Sequence, residues 1–369
     1  GTEYGKATQG DLFFAGQTAF GATDPDGLGQ GVALLSGREV RSEVGFGRLM
    51  APLSFKVNNK LALAAQLDFV WATMDIQMDI DGATFADMAF NTNPQLDVGS
   101  AEGSMVQAFG AAQQGGMIDD VSWARFDFSD DNDFSGEASG YGFAGKLGIL
   151  YQVNPQLSVG ATYHTVTQLD DLNTSDATIA FDGSGQAFGG GAIDIRGDID
   201  VIDFQWPATL GLGAAFKLNP QWMFAGDIRH LFWSDVMDNF KMTFTADATQ
   251  ANPAAAGFAN TRIDATILQE WDDQTVFSLG AQYKPNPKLA LRAGINVANN
   301  PVPDQYLNAL FPAIVKNHYT AGIGFAINAN HQVGAAIAYA PEVKQTNSQN
   351  NVASTHSQTT WRMNYVYKF

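Results

Sequence analysis

The sequence predicts an all-β fold, a transmembrane antiparallel β-barrel, and three observations carry that prediction. Segments of about ten residues alternate bulky apolar with small or polar residues. Five tight turns recur with similar flanks. Only 16% of the 369 residues are charged while 45% are hydrophobic, where a domain with a bulk-water surface carries roughly 25% charged residues. No stretch approaches the ~20 consecutive apolar residues of a spanning helix, and the mean hydropathy is -0.11. A barrel is the other way to cross a bilayer, because its strands satisfy one another's backbone groups.

The alternation locates the strands. In 288–297, Leu289, Leu291, Ala293, Ile295 and Val297 share one face; Lys288, Ala290, Arg292, Gly294 and Asn296 share the other. In 61–73, Leu61, Leu63, Ala65, Leu67, Phe69 and Trp71 oppose Ala62, Ala64, Gln66, Asp68 and Val70. Segments 319–327, 331–339 and 361–369 repeat the pattern. A β-sandwich would pack its bulky face inward and show Lys and Glu outside. Here the second face is rich in Gly and Ala, which fits a lipid-facing exterior and a partly polar interior. The strands are expected at 40–57, 60–80, 136–153, 157–170, 195–218, 221–247, 264–285, 288–301, 318–328, 331–345 and 356–369, about eleven in all.

The five turns centre on Asn58-Asn59, Asn154-Pro155, Asn219-Pro220, Asn286-Pro287 and Asn328-Ala329. Asn and Pro are turn formers, so each joins two strands as a tight hairpin. The opposite connections, 80–135, 173–193, 248–263, 302–317 and 345–355, are long. Short turns on one side and long loops on the other match the periplasmic and extracellular ends of outer-membrane barrels. Residues 1–39 are then expected as an extracellular segment, and 40–369 as the barrel with a large extracellular loop at 81–135. An odd strand count with the first strand descending also leads us to expect further N-terminal strands outside this sequence; the alternative is that segment 4–20 is itself an ascending strand, giving about twelve.

Charge and chemistry narrow the function. The formal net charge of -18 argues against nucleic acid, whose phosphates need basic clusters. Cys is absent, which removes thiolate metal sites and thiol nucleophiles. The five His have no metal-ligand spacing, and no nucleophile–base constellation is legible. The sequence therefore points to a protein that is not an enzyme and has no cofactor or metal.

The chain ends Trp361-Arg-Met-Asn-Tyr-Val-Tyr-Lys-Phe369, which resembles the terminal strand of bacterial outer-membrane proteins. Trp206-Pro-Ala-Thr-Leu-Gly-Leu-Gly, Leu218-Asn-Pro-Gln-Trp222, Phe232-Trp-Ser-Asp235 and Asn300-Pro-Val-Pro-Asp304 occur in the order found in the FadL-type long-chain fatty acid transporters. The run Trp123-Ala-Arg-Phe-Asp-Phe-Ser-Asp130 looks like the branch of that family in hydrocarbon-using bacteria. The resemblance covers about residues 38–369. It implies a 14-stranded barrel, an N-terminal hatch in the lumen and release of substrate sideways into the membrane. It also implies passive uptake of a hydrophobic small molecule, a fatty acid or hydrocarbon, by a monomer in the bacterial outer membrane. Its other partners would be outer-membrane lipid and lipopolysaccharide. A diffusion porin and a structural or adhesive barrel are the other readings; the hatch is not in this sequence.

Two groups of residues are candidate binding sites. Segment 102–114 reads as a short helix capped by Ser100, and Met105, Val106, Phe109, Met117 and Ile118 would form an exposed apolar access groove in the large loop. By parity Lys146, Asp227, Arg229, Arg292 and Arg362 face the lumen with Gln66, Asp68, His164, Gln282 and Asn296. An ion-pair network there is the simpler expectation. Alternatively Lys146, Arg229 and Arg292 hold a carboxylate. The acidic run Asp127, Asp130, Asp131, Asp133 and Glu137 lacks the spacing of an EF-hand and reads as a solvated loop.

Overall fold

The computed structural model describes residues 2–6 by backbone, and 35–93, 96–130, 136–308, 311, 313–349 and 352–368. Most of segment 1–39, Asp131, Asp133 and Phe369 lie outside the described residues. The elements in chain order are β1 (Thr2–Lys6), β2 (Glu39–Lys56), β3 (Leu61–Asp81), α1 (Gly82–Phe90), β4 (Gly99–Glu102), α2 (Ser104–Gln114), β5 (Asp120–Phe128), β6 (Ala138–Gln152) and β7 (Leu157–His164). They continue with β8 (Gln168–Leu169), β9 (Leu172–Ser184), β10 (Ile193–Ile202), β11 (Thr209–Lys217), β12 (Trp222–Leu231), β13 (Asn239–Ala246) and β14 (Arg262–Leu268). The last are β15 (Gln274–Asn286), β16 (Leu289–Ala298), β17 (His318–Ala326), β18 (His331–Thr346) and β19 (Ala353–Tyr367).

Among the described residues eleven strands form the barrel wall, in the order β2-β3-β6-β7-β11-β12-β15-β16-β17-β18-β19, every pair antiparallel. Strand β1 adds to β2 at its far end, with Thr2 opposite Ser42, while lower on β2 and on β19 Leu53 and Trp361 are 77% and 73% exposed. Register makes the two faces explicit. One row across the wall reads Leu63, Ile149, Ala161, Leu212, Ile228, Phe277, Val297. The adjacent row reads Ala64, Gly148, Thr162, Gly211, Arg229, Val276. The first row is the lipid face, where a charge costs roughly 2–4 kcal/mol at the midplane. The second is the lumen. Glycine there makes room for a neighbour's polar side chain: a Cβ at Gly213 would stand 2.2 Å from a carboxylate oxygen of Asp227.

All five short turns close in the same way. The side-chain oxygen of Asn58 accepts hydrogen bonds from the backbone N–H of Lys60 and Leu61 at 2.8 and 3.0 Å. Asn154, Asn219, Asn286 and Asn328 do the same for the residues two and three positions on. Asn recurs because its amide replaces a turn's missing backbone partner. Just above these turns Trp222 stacks on Tyr283 at 4.6 Å, as expected of an interfacial aromatic girdle.

A second sheet rises from the wall on the long-loop side. It runs from the far end of β3 through β5, β9, β10, β13 and β14 to β4. Helices α1 and α2 pack against it and complete a cap with its own apolar core. Strands expected to be continuous at 195–218, 221–247 and 264–285 are therefore each broken in two, at 203–208, 232–238 and 269–273. The lower half of each belongs to the wall and the upper half to the cap. The helix in the large loop begins at Ser104, and its N-cap is Gly103 with φ 114°. Ser100 instead pairs in β4 with Thr266 of β14.

Candidate ligand-binding site

The three strand breaks lie at one level between wall and cap, and they deliver aromatic side chains to one place. Asp203 and Glu270 adopt left-handed φ values of 53° and 44°, uncommon for residues with a Cβ. Such a turn takes the chain out of the ladder. The first break is fixed by buried Thr167, whose hydroxyl accepts from Trp206 N–H at 2.7 Å while its own N–H donates to Trp206 O at 3.1 Å. The other two breaks bind each other: Gln269 and Glu270 N–H donate to Asp238 O, and Trp271 N–H to Met237 O. Asp273 adds a clasp, accepting from Ser234 N–H at 3.1 Å, Ser234 Oγ–H at 2.8 Å and a His230 ring nitrogen at 3.2 Å. Burial pushes the Asp273 carboxyl up, but these donors outweigh it and hold it below the usual carboxylate range.

The result is a cavity of about 420 Å³. Trp206, Trp233 and Trp271 line it with Phe204 and Phe240. Trp233 meets Trp271 edge-on with centroids 5.1 Å apart, and Trp206 lies 6.2 Å from Trp233. Val44, Met74, Ile76 and Met78 close it from β2 and β3; Asn308, Phe311 and Ala313 close it from the segment after β16. Among the described residues no Asp, Glu, Lys or Arg lines it. Beneath it, Phe46 stacks on Trp206 at 4.6 Å, and the Arg48 guanidinium sits 4.9 Å over Phe46. Arg48 also pairs with Asp68 at 3.0 Å, and His164 meets the same carboxylate at 3.1 Å. The Phe46–Trp206 stack thus lies between the apolar lining and the polar group of Arg48, Asp68 and His164.

The residues expected from sequence fall elsewhere. Met105, Val106, Phe109 and Ile118 are buried, Phe109 to 1% exposure, against Phe85, Phe181 and Phe258. They are the core of the cap, not an open groove; only Met117 stays exposed. The physical reason is that β14 and β4, with Phe181 of β9 and Phe258, supply the surface on which α2 packs. Lys146, Arg229 and Arg292 do sit on the lumen face, as parity required: Lys146 opposes Gln66 and His164, Arg229 opposes Gly211, and Arg292 donates to Gln282 at 2.9 Å. None of the three makes an ion pair among the described residues, and neither does Asp227. Among the described residues the expected lumenal network gathers on Asp68, which takes Arg48, His164 and the Gln66 amide. Asp127 of the acidic run pairs with Arg125 at 2.8 Å.

Trp233, Trp271 and Gln269 were not singled out by sequence reasoning. A signal existed. Trp206-Pro207, Phe232-Trp233-Ser234-Asp235 and Gln269-Glu270-Trp271-Asp272-Asp273 each interrupt a period-2 run with an aromatic beside a strand breaker or paired acids.

Residues 40–367 match the family described as "Outer membrane protein transport protein (OMPP1/FadL/TodX)". Curated protein sequences give no match. Among solved structures, the toluene transporter TodX of P. putida is 24% identical with a TM-score of 0.75, over 100% of this chain and 76% of that one. The CymD monoaromatic hydrocarbon channel is 22% identical with a TM-score of 0.68, over 90% of this chain and 78% of that one. The Ralstonia pickettii toluene transporter TbuX is 25% identical with a TM-score of 0.66, over 89% and 68%. Wall, turns and cap accordingly form an outer-membrane β-barrel fold. The chain belongs to the OMPP1/FadL/TodX family of outer membrane transport proteins.

Proposed function

We propose that this chain is a passive channel for neutral, ring-sized hydrophobic molecules of the monoaromatic hydrocarbon class, held between cap and barrel on their way through the outer membrane. The observation that carries the reading is the cavity walled by Trp206, Trp233 and Trp271, with no Asp, Glu, Lys or Arg among its described lining residues. Aromatic walls favour an aromatic guest through offset and edge-on contacts, and the volume is that of a small-molecule pocket. A fatty-acid carboxylate seated there would be buried with no Lys or Arg in the described lining, and with His356 as its one titratable neighbour, which is costly. Lys146, Arg229 and Arg292 are not among the lining residues, so the carboxylate reading for those cations is the weaker one. The names of the similar structures, which speak of toluene and monoaromatic hydrocarbons, agree with this choice.

For release we propose the lateral route that the family resemblance implies. A hydrocarbon leaving the cavity gains nothing by entering a lumen lined by Arg229, Asp227 and Arg292, whereas the bilayer is as apolar as the cavity. Toluene titrated into the purified protein, followed by calorimetry, tests the binding step. Saturable binding that falls about tenfold in Trp271→Ala supports the cavity. Equal binding by both proteins would remove it. Compounds co-extracted with the protein provide the second check: neutral hydrocarbons are expected, and enrichment of fatty acids would instead favour a carboxylate held by the lumenal cations Lys146, Arg229 and Arg292.

A further inference from the structure

We infer that the cavity discriminates among aromatic guests through Gln269, and that it takes a neutral monoaromatic bearing one hydroxyl, a phenol-class molecule, with that hydroxyl on the Gln269 amide. The inference rests on the cavity reading above and goes beyond it, because a hydrocarbon would leave this amide unused.

Gln269 follows Ile263, Ala265 and Ile267 in parity, the buried face of β14. Like Ile267 it lines the cavity. Its backbone is pinned, N–H to Asp238 O at 3.0 Å. The residue is 9% exposed, yet its side-chain amide makes no hydrogen bond to any described residue. The indole nitrogens of Trp233 and Trp271 are also without partners, but they are wholly enclosed; the Gln269 amide is not enclosed. It is therefore a buried polar group open to the cavity, and among the described lining residues no Asp, Glu, Lys or Arg is present to recruit an ion, His356 being the one titratable side chain.

A buried amide without a partner is unfavourable, so a ligand that supplies one is favoured over an isostere that cannot. The amide both donates and accepts, and so does a phenolic hydroxyl, at about 2.7–3.0 Å. Sites with a polar anchor of this kind reject the analogue lacking it more strongly than apolar pockets reject a missing methylene.

The test compares p-cresol with p-xylene, which differ by hydroxyl for methyl. Affinities for both are measured by calorimetry on the detergent-solubilised full chain, its Gln269→Leu variant and its Gln269→Met variant. The p-cresol to p-xylene affinity ratio is expected to fall about tenfold in each variant, which is ~1.4 kcal/mol, with p-xylene affinity kept or raised. A ratio that stays within twofold of the parent overturns the inference while leaving the cavity in place. Absence of p-xylene binding by the parent overturns both. Two replacements are used so that a folding defect in one, seen as lost heat-modifiable migration, leaves the other to decide.

Discussion

Asp273 shows how one side chain can govern a site it does not line. Its carboxylate holds the turn that carries Trp233 and ends the break that carries Trp271. It is a positioning residue. Asp273→Ala is expected to weaken toluene binding several-fold while strand content, read by circular dichroism, is unchanged. Asp273→Asn keeps a carbonyl for Ser234 and should restore most of the affinity. If Ala and Asn variants bind equally well, the clasp is ornamental. The sign of its pH dependence follows from its lowered carboxyl: the clasp stabilises above the ordinary carboxylate range and is lost as pH falls through the lowered value. At this scale the sequence named the lumenal cations by parity but could not name Gln269. Its role depends on what fails to reach its amide, and that is a property of three dimensions.

At the scale of elements, the hairpins and the helix α2 obey different rules. Each hairpin is closed by an Asn side chain three residues or fewer from its partners, so it was legible from the chain alone. Replacing Asn219 by Ala removes two exposed hydrogen bonds and should cost about 1 kcal/mol of barrel stability, measured by urea-dependent gel migration. Helix α2 was legible as a helix but not in its surroundings. Its apolar residues read as an exposed patch because the surface that covers them comes from β14, Phe181 of β9 and Phe258, far along the chain. Phe109→Ala is therefore expected to cost about 3–5 kcal/mol in the cap. Proteolysis should then open the cap while the wall stays protected; a cap as resistant as the parent would contradict its assignment to the core.

Across the whole molecule, charge is sorted by depth. The wall segments 46–73, 138–166, 209–230, 275–299, 318–340 and 358–368 hold eleven Lys and Arg against two acids, Asp68 and Asp227. The rest of the chain holds nine against thirty-six. The overall charge of -18 thus belongs to the extramembrane parts, and the lumen is basic. Crowding is felt at Asp200 in the cap, where burial and then the charges of Asp171 and Asp198 raise the carboxyl. A raised acid stabilises below its unfolded value, and that contribution is lost as pH rises through the folded one. Asp200→Asn should accordingly raise the thermal midpoint of the cap at pH 7 and give no gain near ~pH 3, where both forms are neutral. An equal gain at both pH values would point to packing instead of charge.

The sequence by itself determined the wall: which residues meet lipid, which meet the lumen, where the tight turns fall and on which side the long loops lie. Those features are set by period-2 alternation and by turn chemistry within a few residues, and both are local. Only the tertiary structure decided the site. Residues 203–208, 232–238 and 269–273 reach one level because strand register fixes their heights together, and segments as distant as Met74 and Phe311 complete the same enclosure. Enclosure is a joint property of walls contributed by many strands, and no one strand's pattern encodes it.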